Sequence, residues 1–395
     1  MTSAGIMYPR LATERLRELA TRFPAVVILG ARQVGKTTLA RQAFPGHVYV
    51  DLEDPRTGEL FGDDPRFQLD QHRAGSGLII DEAQAVPTVF SALRGAIDAD
   101  RQARGRFVVL GSAQPTLVRG VSESLAGRVG LLELDPLTAS ETRATPPLRT
   151  WRELWLCGGF PDALAAGTEG FRDWHEAYLR SYVERDLPQL GVAAEPILTR
   201  RLLTMLAHQQ GGLLNVSSLA AALGVGHSKV ARLLDVFEAT FLLRRLPPWF
   251  RNVGKRLVKS PKTYLRDSGL LHHLLNIGRM DELDSHPIRG ASWEGFVLED
   301  LLRRERLTHP QTQPHFWRTA AGGEIDLLLD RGNLRHAIEI KAGRGTAHQA
   351  RHLAAMMRDV DAAQGWIVDQ GDAAETAINP SVAGVGVEKA LGLLP

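Results

Sequence analysis

The chain has 395 residues, too many for one ordinary core and suited to two or three domains. Hydrophobic residues make up 44% and charged residues 23%, as in ordinary soluble globular proteins, and the net charge of +2 is too small to indicate a partner. A single cysteine, Cys157, excludes an internal disulfide and a cysteine zinc site, and no apolar run approaches the ~18 residues of a membrane span. Met1 to Gly5 lacks the charged start and apolar core of a signal peptide, so the chain reads as cytoplasmic with no membrane partner.

Leu11 to Arg22 has helical spacing and ends at Pro24. Ala25-Val26-Val27-Ile28-Leu29 then forms an apolar run of the length of a buried parallel strand. Gly30-Ala31-Arg32-Gln33-Val34-Gly35-Lys36-Thr37 follows, a glycine, four residues, then Gly-Lys-Thr, with Thr38 opening a helical stretch. Strand, glycine loop and helix are the setting of a phosphate-binding loop. Gly30 and Gly35 allow backbone N–H groups to surround phosphate oxyanions at a helix start. Lys36 is placed to reach the β- and γ-phosphates, and Thr37 to bind Mg²⁺.

His47 to Asp51 reads as a second strand, and Asp54-Pro55 and Asp64-Pro65 mark a loop-rich passage. Leu78-Ile79-Ile80 is a short strand ending in Asp81 and Glu82. On a strand neighbouring the loop, Asp81 would hold Mg²⁺ through water and Glu82 would polarise the attacking water. Val89 to Ala103 suits a helix, Arg106 to Leu110 a fourth strand and Leu131 to Leu134 a fifth. This alternation implies a parallel sheet, with ligands beyond its strand C-termini. Ser112, after the fourth strand, is either a sensor of the γ-phosphate or a turn serine. Arg128 could serve a neighbouring subunit as an arginine finger; Arg119 is a rival, and a solvated surface role is open to both.

These residues resemble a family. GARQVGKTTL, LIIDEAQ, LGSAQ and SLAGR, followed by Leu134-Asp135-Pro136-Leu137, are similar to bacterial and archaeal AAA+ P-loop ATPases that carry a C-terminal region of unknown function. The resemblance continues through Gly158-Gly159-Phe160-Pro161, Tyr182-Val183-Glu184-Arg185-Asp186 and Lys259-Ser260-Pro261-Lys262. It implies an α/β fold class: an AAA+ ATPase core over 1–150 and a helical lid over 151–190. A winged-helix domain over 191–280 and a PD-(D/E)XK nuclease-like domain over 281–395 follow. It further implies ATP with Mg²⁺, and a homo-oligomer such as a hexameric ring.

Val216 to Leu223, Gly224-Val225-Gly226 and His227 to Ala239 read as helix, turn, helix, the pattern of a DNA-binding motif. Phe241 to Leu246 suits the strand of a wing. A basic run then includes Arg244, Arg245, Arg251, Lys255, Arg256, Lys259, Lys262 and Arg266, a local field suited to the DNA backbone. The alternative is a packing module with a solvated charged face.

Glu294 lies on a helical stretch. Gly323 to Leu329 is a strand carrying Asp326, and Ala337 to Lys341 a strand carrying Glu339 and Lys341. Strand alternation puts Glu339 and Lys341 on one face. Glu294, Asp326 and Glu339 could then bind a second divalent metal, with Lys341 orienting water and Gln349 as a fourth polar position. The alternative is a domain that holds DNA or an assembly without cutting. The function expected from these readings is a Mg²⁺-dependent ATPase coupled to DNA binding, with DNA remodelling or metal-dependent cleavage. Its rival is a nucleotide-controlled regulatory module with a non-catalytic nuclease-like domain.

Overall fold

A computed structural model describes residues 7–72, 77–111, 123–144, 149–192, 195–250, 259–319, 322–371, 376–387 and 389–390. The chain forms two compact units. One contains residues 9–137 with 239–241; the other contains residues 138–238 and 242–395, with the N-terminal residues through Tyr8.

The first unit is built on a parallel sheet of β1 (Ala25–Leu29), β2 (Val48–Asp51), β3 (Leu78–Asp81), β4 (Phe107–Gly111) and β5 (Val129–Glu133). The strand order is β2-β3-β4-β1-β5. β1, β3 and β4 are buried almost throughout, which explains their unbroken apolar sequences. Their side chains join Phe61, Leu69, Phe90, Leu93 and Ile97 from the flanking helices in one core. Two sequence expectations change here. β3 does not adjoin β1, because β4 lies between them. The passage after Asp54 is helical, with helices at Pro55–Asp63 and Pro65–Asp70. Asp54 and Asp64 cap these helices by accepting from Thr57 and Phe67 N–H at 2.9 Å. Proline follows each cap at a position where its missing N–H costs nothing.

The helices of the second unit begin with Ala139–Arg143, followed by Trp151–Cys157 and Pro161–Ser181. Helices at Pro196–His208, Val216–Leu223 and His227–Ala239 follow. Asn215 caps the Val216 helix by accepting from Ser218 N–H at 3.0 Å, and Gly224 ends it at φ 69°. β6 (Leu243–Leu246) and β7 (Lys262–Leu265) form an antiparallel ribbon.

A helix at Arg289–Thr308 leads to six further strands: β8 (Gln313–Arg318), β9 (Glu324–Asp330), β10 (Arg335–Ile340), β11 (Gln364–Asp369), β12 (Thr376–Asn379) and β13 (Val382–Gly386). Their order is β12-β13-β11-β10-β9-β8. β8, β9 and β10 run as an antiparallel meander, while β10, β11 and β13 are parallel. The Ala347–Val360 helix makes the crossover from β10 to β11. Trp155 and Trp293 pack edge to face at 5.2 Å in the helical part of this unit. Residues 151–238 and 242–395, expected to include lid, winged helix and nuclease-like domain, lie within one unit.

Candidate nucleotide site and acidic cluster

The glycine loop leaves the C-terminal end of β1 and enters the Lys36–Ala43 helix. Gly35 has φ 92°, a region that glycine occupies without strain. Gly30 is equally constrained, since a Cβ there would lie 2.3 Å from the Leu134 carbonyl oxygen. The buried Lys36 ammonium donates to the carbonyls of Ala31 at 2.8 Å and Gly30 at 3.1 Å. It is therefore held over the loop that would receive phosphate. Arg10 clamps the loop from outside, donating to Val34 O at 2.7 Å and to Asp135 O.

Thr37 Oγ1 donates to Asp81 Oδ2 at 2.6 Å, and the Tyr49 hydroxyl donates to the same oxygen at 3.0 Å. Loop hydroxyl and strand carboxylate thus meet although β4 separates their strands. An oxygen pair of this kind suits Mg²⁺, which prefers hard oxygen donors. Glu82 follows in left-handed backbone at φ 49°, and Gln84 Nε2 donates to its carboxylate. Burial raises the Glu82 pKa, opposed by the nearby Lys36 charge. A carboxylate tuned upward is a better proton acceptor at neutral pH.

A second group of ionisable side chains lies in the other unit, around β9 and β10. Asp326 Oδ2 accepts from Ile340 N–H at 2.8 Å, and Glu339 Oε1 accepts from Lys341 Nζ at 2.7 Å. Lys341 Nζ also stands 3.6 Å from Asp326. Glu294 comes from the Arg289–Thr308 helix. Its Oε1 accepts from Lys262 Nζ at 3.0 Å and from the Tyr264 hydroxyl at 2.5 Å. Lys262 Nζ is also 2.5 Å from Glu324 and 4.0 Å from Asp326. Burial, reinforced by Asp326, raises Glu294 and lifts Glu339 to about 7. Burial opposes the Lys262 charge, but Glu294, Asp326 and Glu324 outweigh it and raise its pKa.

Glu294 and Asp326, expected as metal ligands with Glu339, are linked through Lys262, and Asp326 and Glu339 through Lys341. They do not fit a divalent ion as they stand, because an ammonium occupies the space between Glu294 and Asp326. Among the described residues, no three His, Cys, Asp or Glu side chains are arranged to hold a metal. Gln349 is engaged elsewhere: its Oε1 accepts from Thr346 N–H at 2.8 Å and caps the Ala347–Val360 helix.

Family models match in three places: an AAA domain at residues 22–143, a domain of unknown function (DUF8612) at 148–281 and another (DUF4143) at 289–383. An uncharacterized protein of Mycobacterium tuberculosis is 40% identical over 375 residues, covering 94% of this chain and 82% of that protein. One from Mycobacterium bovis matches equally. The chain belongs to this family of AAA-type proteins with a DUF4143 region. Among solved structures, a Walker-type ATPase of Pyrococcus abyssi has a TM-score of 0.47 at 15% identity, covering 68% of this chain and 96% of that one. A Thermotoga maritima RuvB Holliday junction branch migration motor has a TM-score of 0.31 at 18% identity, covering 61% and 90%.

In this AAA-type chain, Arg128 is engaged within its own unit. Its Nε and Nη2 donate to the two Asp98 carboxylate oxygens at 2.9 and 3.0 Å. Ser112 and Arg119 lie outside the described residues. Among the described residues, most of the basic run is committed to internal pairs. Arg244 and Arg266 both bind buried Glu299, Arg245 binds Asp235 and Glu238, and Lys262 binds the acidic cluster. These four are therefore poorly placed to contact DNA. Lys259 is exposed, while Arg251, Lys255 and Arg256 lie outside the described residues. Within the same stretch Trp249 is buried and donates to Asp330 at 3.2 Å, while Phe250 is exposed.

Sequence reasoning missed Tyr49, Arg10, Glu324 and the place of Lys262. Tyr49 alone carried a signal, a hydroxyl on a strand beside Asp81. The others act through contacts between residues far apart in sequence. No helix among the described residues is long and apolar enough to cross a membrane.

Proposed function

We propose that this chain is a Mg²⁺-dependent ATPase whose turnover is coupled to contact with DNA. The observation that carries the reading is the Thr37–Asp81 hydrogen bond at 2.6 Å beside the buried Lys36 ammonium. Lys36 would exchange its carbonyl partners for phosphate oxygens, a charge-assisted bond in place of neutral ones. Gly30, Ala31, Arg32, Gln33, Val34, Gly35 and Thr38 would form the cradle around those phosphates. Thr37 and Asp81 would hold Mg²⁺, which neutralises phosphate charge. Glu82 would take the proton of the attacking water, Ser112 would sense the γ-phosphate and Arg128 would act across a subunit boundary in a homo-oligomeric ring.

DNA contact rests on the His227–Ala239 helix, whose leading His227, Ser228 and Lys229 are exposed, and on the remaining basic positions near Lys259. We read the region as a winged helix and the six-stranded sheet as nuclease-like. The Lys262 ammonium within the acidic cluster favours a non-catalytic role for that sheet, in holding DNA or an assembly. The test is ATP hydrolysis with single-stranded, duplex and branched DNA. Turnover that rises strongly with DNA supports coupling. ATP binding with negligible turnover on every DNA would instead leave a nucleotide-controlled assembly module.

A further inference from the structure

The acidic cluster carries an inference that does not depend on ATP turnover. We propose that Lys262 is its resident cation, delivered by the chain to the place that a divalent metal would occupy. Four carboxylates converge here, from Glu294, Glu324, Asp326 and Glu339. Lys341 stands beside Asp326 and Glu339, whereas Lys262 stands among Glu294, Glu324 and Asp326. The Lys262 side chain is only 4% exposed, and the Phe316 ring centre lies 5.7 Å from its ammonium. A buried ammonium is unfavourable without partners, and so is a buried carboxylate group without a cation. Each supplies what the other lacks.

The backbone keeps the lysine in place. β7 pairs with β6 on one side, Lys262 opposite Leu246. On the other side Lys262 bridges to Leu213, Leu214 N–H donates to Pro261 O at 2.8 Å and Thr263 N–H donates to Gly212 O at 3.0 Å. Withdrawing β7 would break bonds on both edges. Strand alternation then directs Lys262 and Tyr264 to the same face, where both reach Glu294 Oε1. That oxygen already accepts two donors, and Asp326 Oδ2 is taken by Ile340 N–H. A metal entering the cluster would compete with Lys262 for the same oxygens and face its charge at close range. The cluster therefore binds the β6–β7 ribbon to the six-stranded sheet, and metal-dependent phosphodiester cleavage is closed to it in this arrangement.

The test counts bound Mn²⁺ by electron paramagnetic resonance, without nucleotide or DNA, so its outcome is separate from that of the ATPase reading. In the otherwise wild-type chain, Asp326→Ala should leave the number of bound ions unchanged. Lys262→Met should gain one ion, and adding Asp326→Ala to it should remove that ion. Lys262→Arg should gain none. The Lys262→Met chain should melt earlier than wild type, and Mn²⁺ should restore its melting temperature without raising that of wild type. A wild-type Mn²⁺ site abolished by Asp326→Ala overturns the proposal, as does a folded Lys262→Met chain that gains no Asp326-dependent ion. If Lys262→Met does not fold, the wild-type and Asp326→Ala counts still decide.

Discussion

Thr37 and Asp81 are joined by a 2.6 Å hydrogen bond although β4 separates the strands that precede them. The reach comes from the loop after β1, which carries Thr37 to the C-terminal edge where Asp81 ends β3. Tyr49 fixes the same Asp81 oxygen from β2 and so restricts how the carboxylate can turn. Thr37→Ala should thus weaken nucleotide binding when Mg²⁺ is present and have little effect when Mg²⁺ is removed by chelation. Equal losses in both conditions, measured by fluorescent-nucleotide titration, would place the metal elsewhere.

Lys36 and Glu82 should separate binding from chemistry. Lys36→Ala removes the charge that would meet the phosphates and should lower nucleotide affinity. Glu82→Gln retains the Thr37–Asp81 pair but loses the proton acceptor. Turnover should then fall by about 10²–10⁴-fold with nucleotide still bound. Wild-type turnover by Glu82→Gln would remove Glu82 from the reaction.

How far the sequence shows these sites depends on the range of the interactions that build them. The loop at Gly30 to Thr37 is local: strand, glycines and helix start are contiguous, and the structure places them accordingly. The helices at Val216–Leu223 and His227–Ala239 lie where the apolar pattern puts them. Asp54-Pro55 is ambiguous because an aspartate before proline suits both a turn and a helix cap. Charge is the least legible property. Arg244, Arg266 and Lys262 look like members of one basic surface, yet buried Glu299 and the Glu294 cluster absorb them from as many as 64 positions away.

The Arg128–Asp98 pair bears on the subunit boundary. If Arg128 serves a neighbouring nucleotide, it must leave Asp98 to do so. Arg128→Ala should reduce turnover with little change in nucleotide affinity, whereas Asp98→Ala should retain turnover or raise it. Mixing Arg128→Ala with Lys36→Ala chains should recover activity, because each supplies the part that the other lacks. No loss in purified Arg128→Ala would exclude the finger role.

His272 sets a pH dependence of stability. It is buried, with Nδ1 2.9 Å from Leu156 O and Nε2 2.8 Å from Ser292 Oγ. Burial lowers its pKa to about 4 from an ordinary 6.5, against the opposing bond to Leu156. Between these values the unfolded chain takes up a proton that the folded chain refuses. Stability is fully present above about pH 6.5 and falls as the pH drops towards 4, by at most about 3 kcal/mol from this group. His273, also lowered to about 4, acts in the same direction. His272→Asn should flatten the change in urea midpoint between pH 7 and pH 5. An unchanged slope would assign the dependence to other groups.

DNA affinity should depend on salt through a small set of cations. Counterion release scales with the phosphates that a protein neutralises, with a slope of about −0.9 per phosphate for duplex DNA. Arg244 and Arg266 already share Glu299, so they should contribute little to that slope. Lys259 is exposed, and Lys255 and Arg256 precede it in the sequence. Replacing these three by alanine should weaken binding to all sequences alike and reduce the slope by roughly one for each phosphate no longer neutralised. Lys229→Ala should act differently if the His227–Ala239 helix enters the major groove. It would release Glu195 from their ion pair and change affinity more for some sequences than for others. The measurement is fluorescence anisotropy of labelled duplexes between low and physiological salt. An unaltered slope in the triple variant would move the DNA away from this segment, and uniform weakening by Lys229→Ala would reduce that helix to a backbone-binding role.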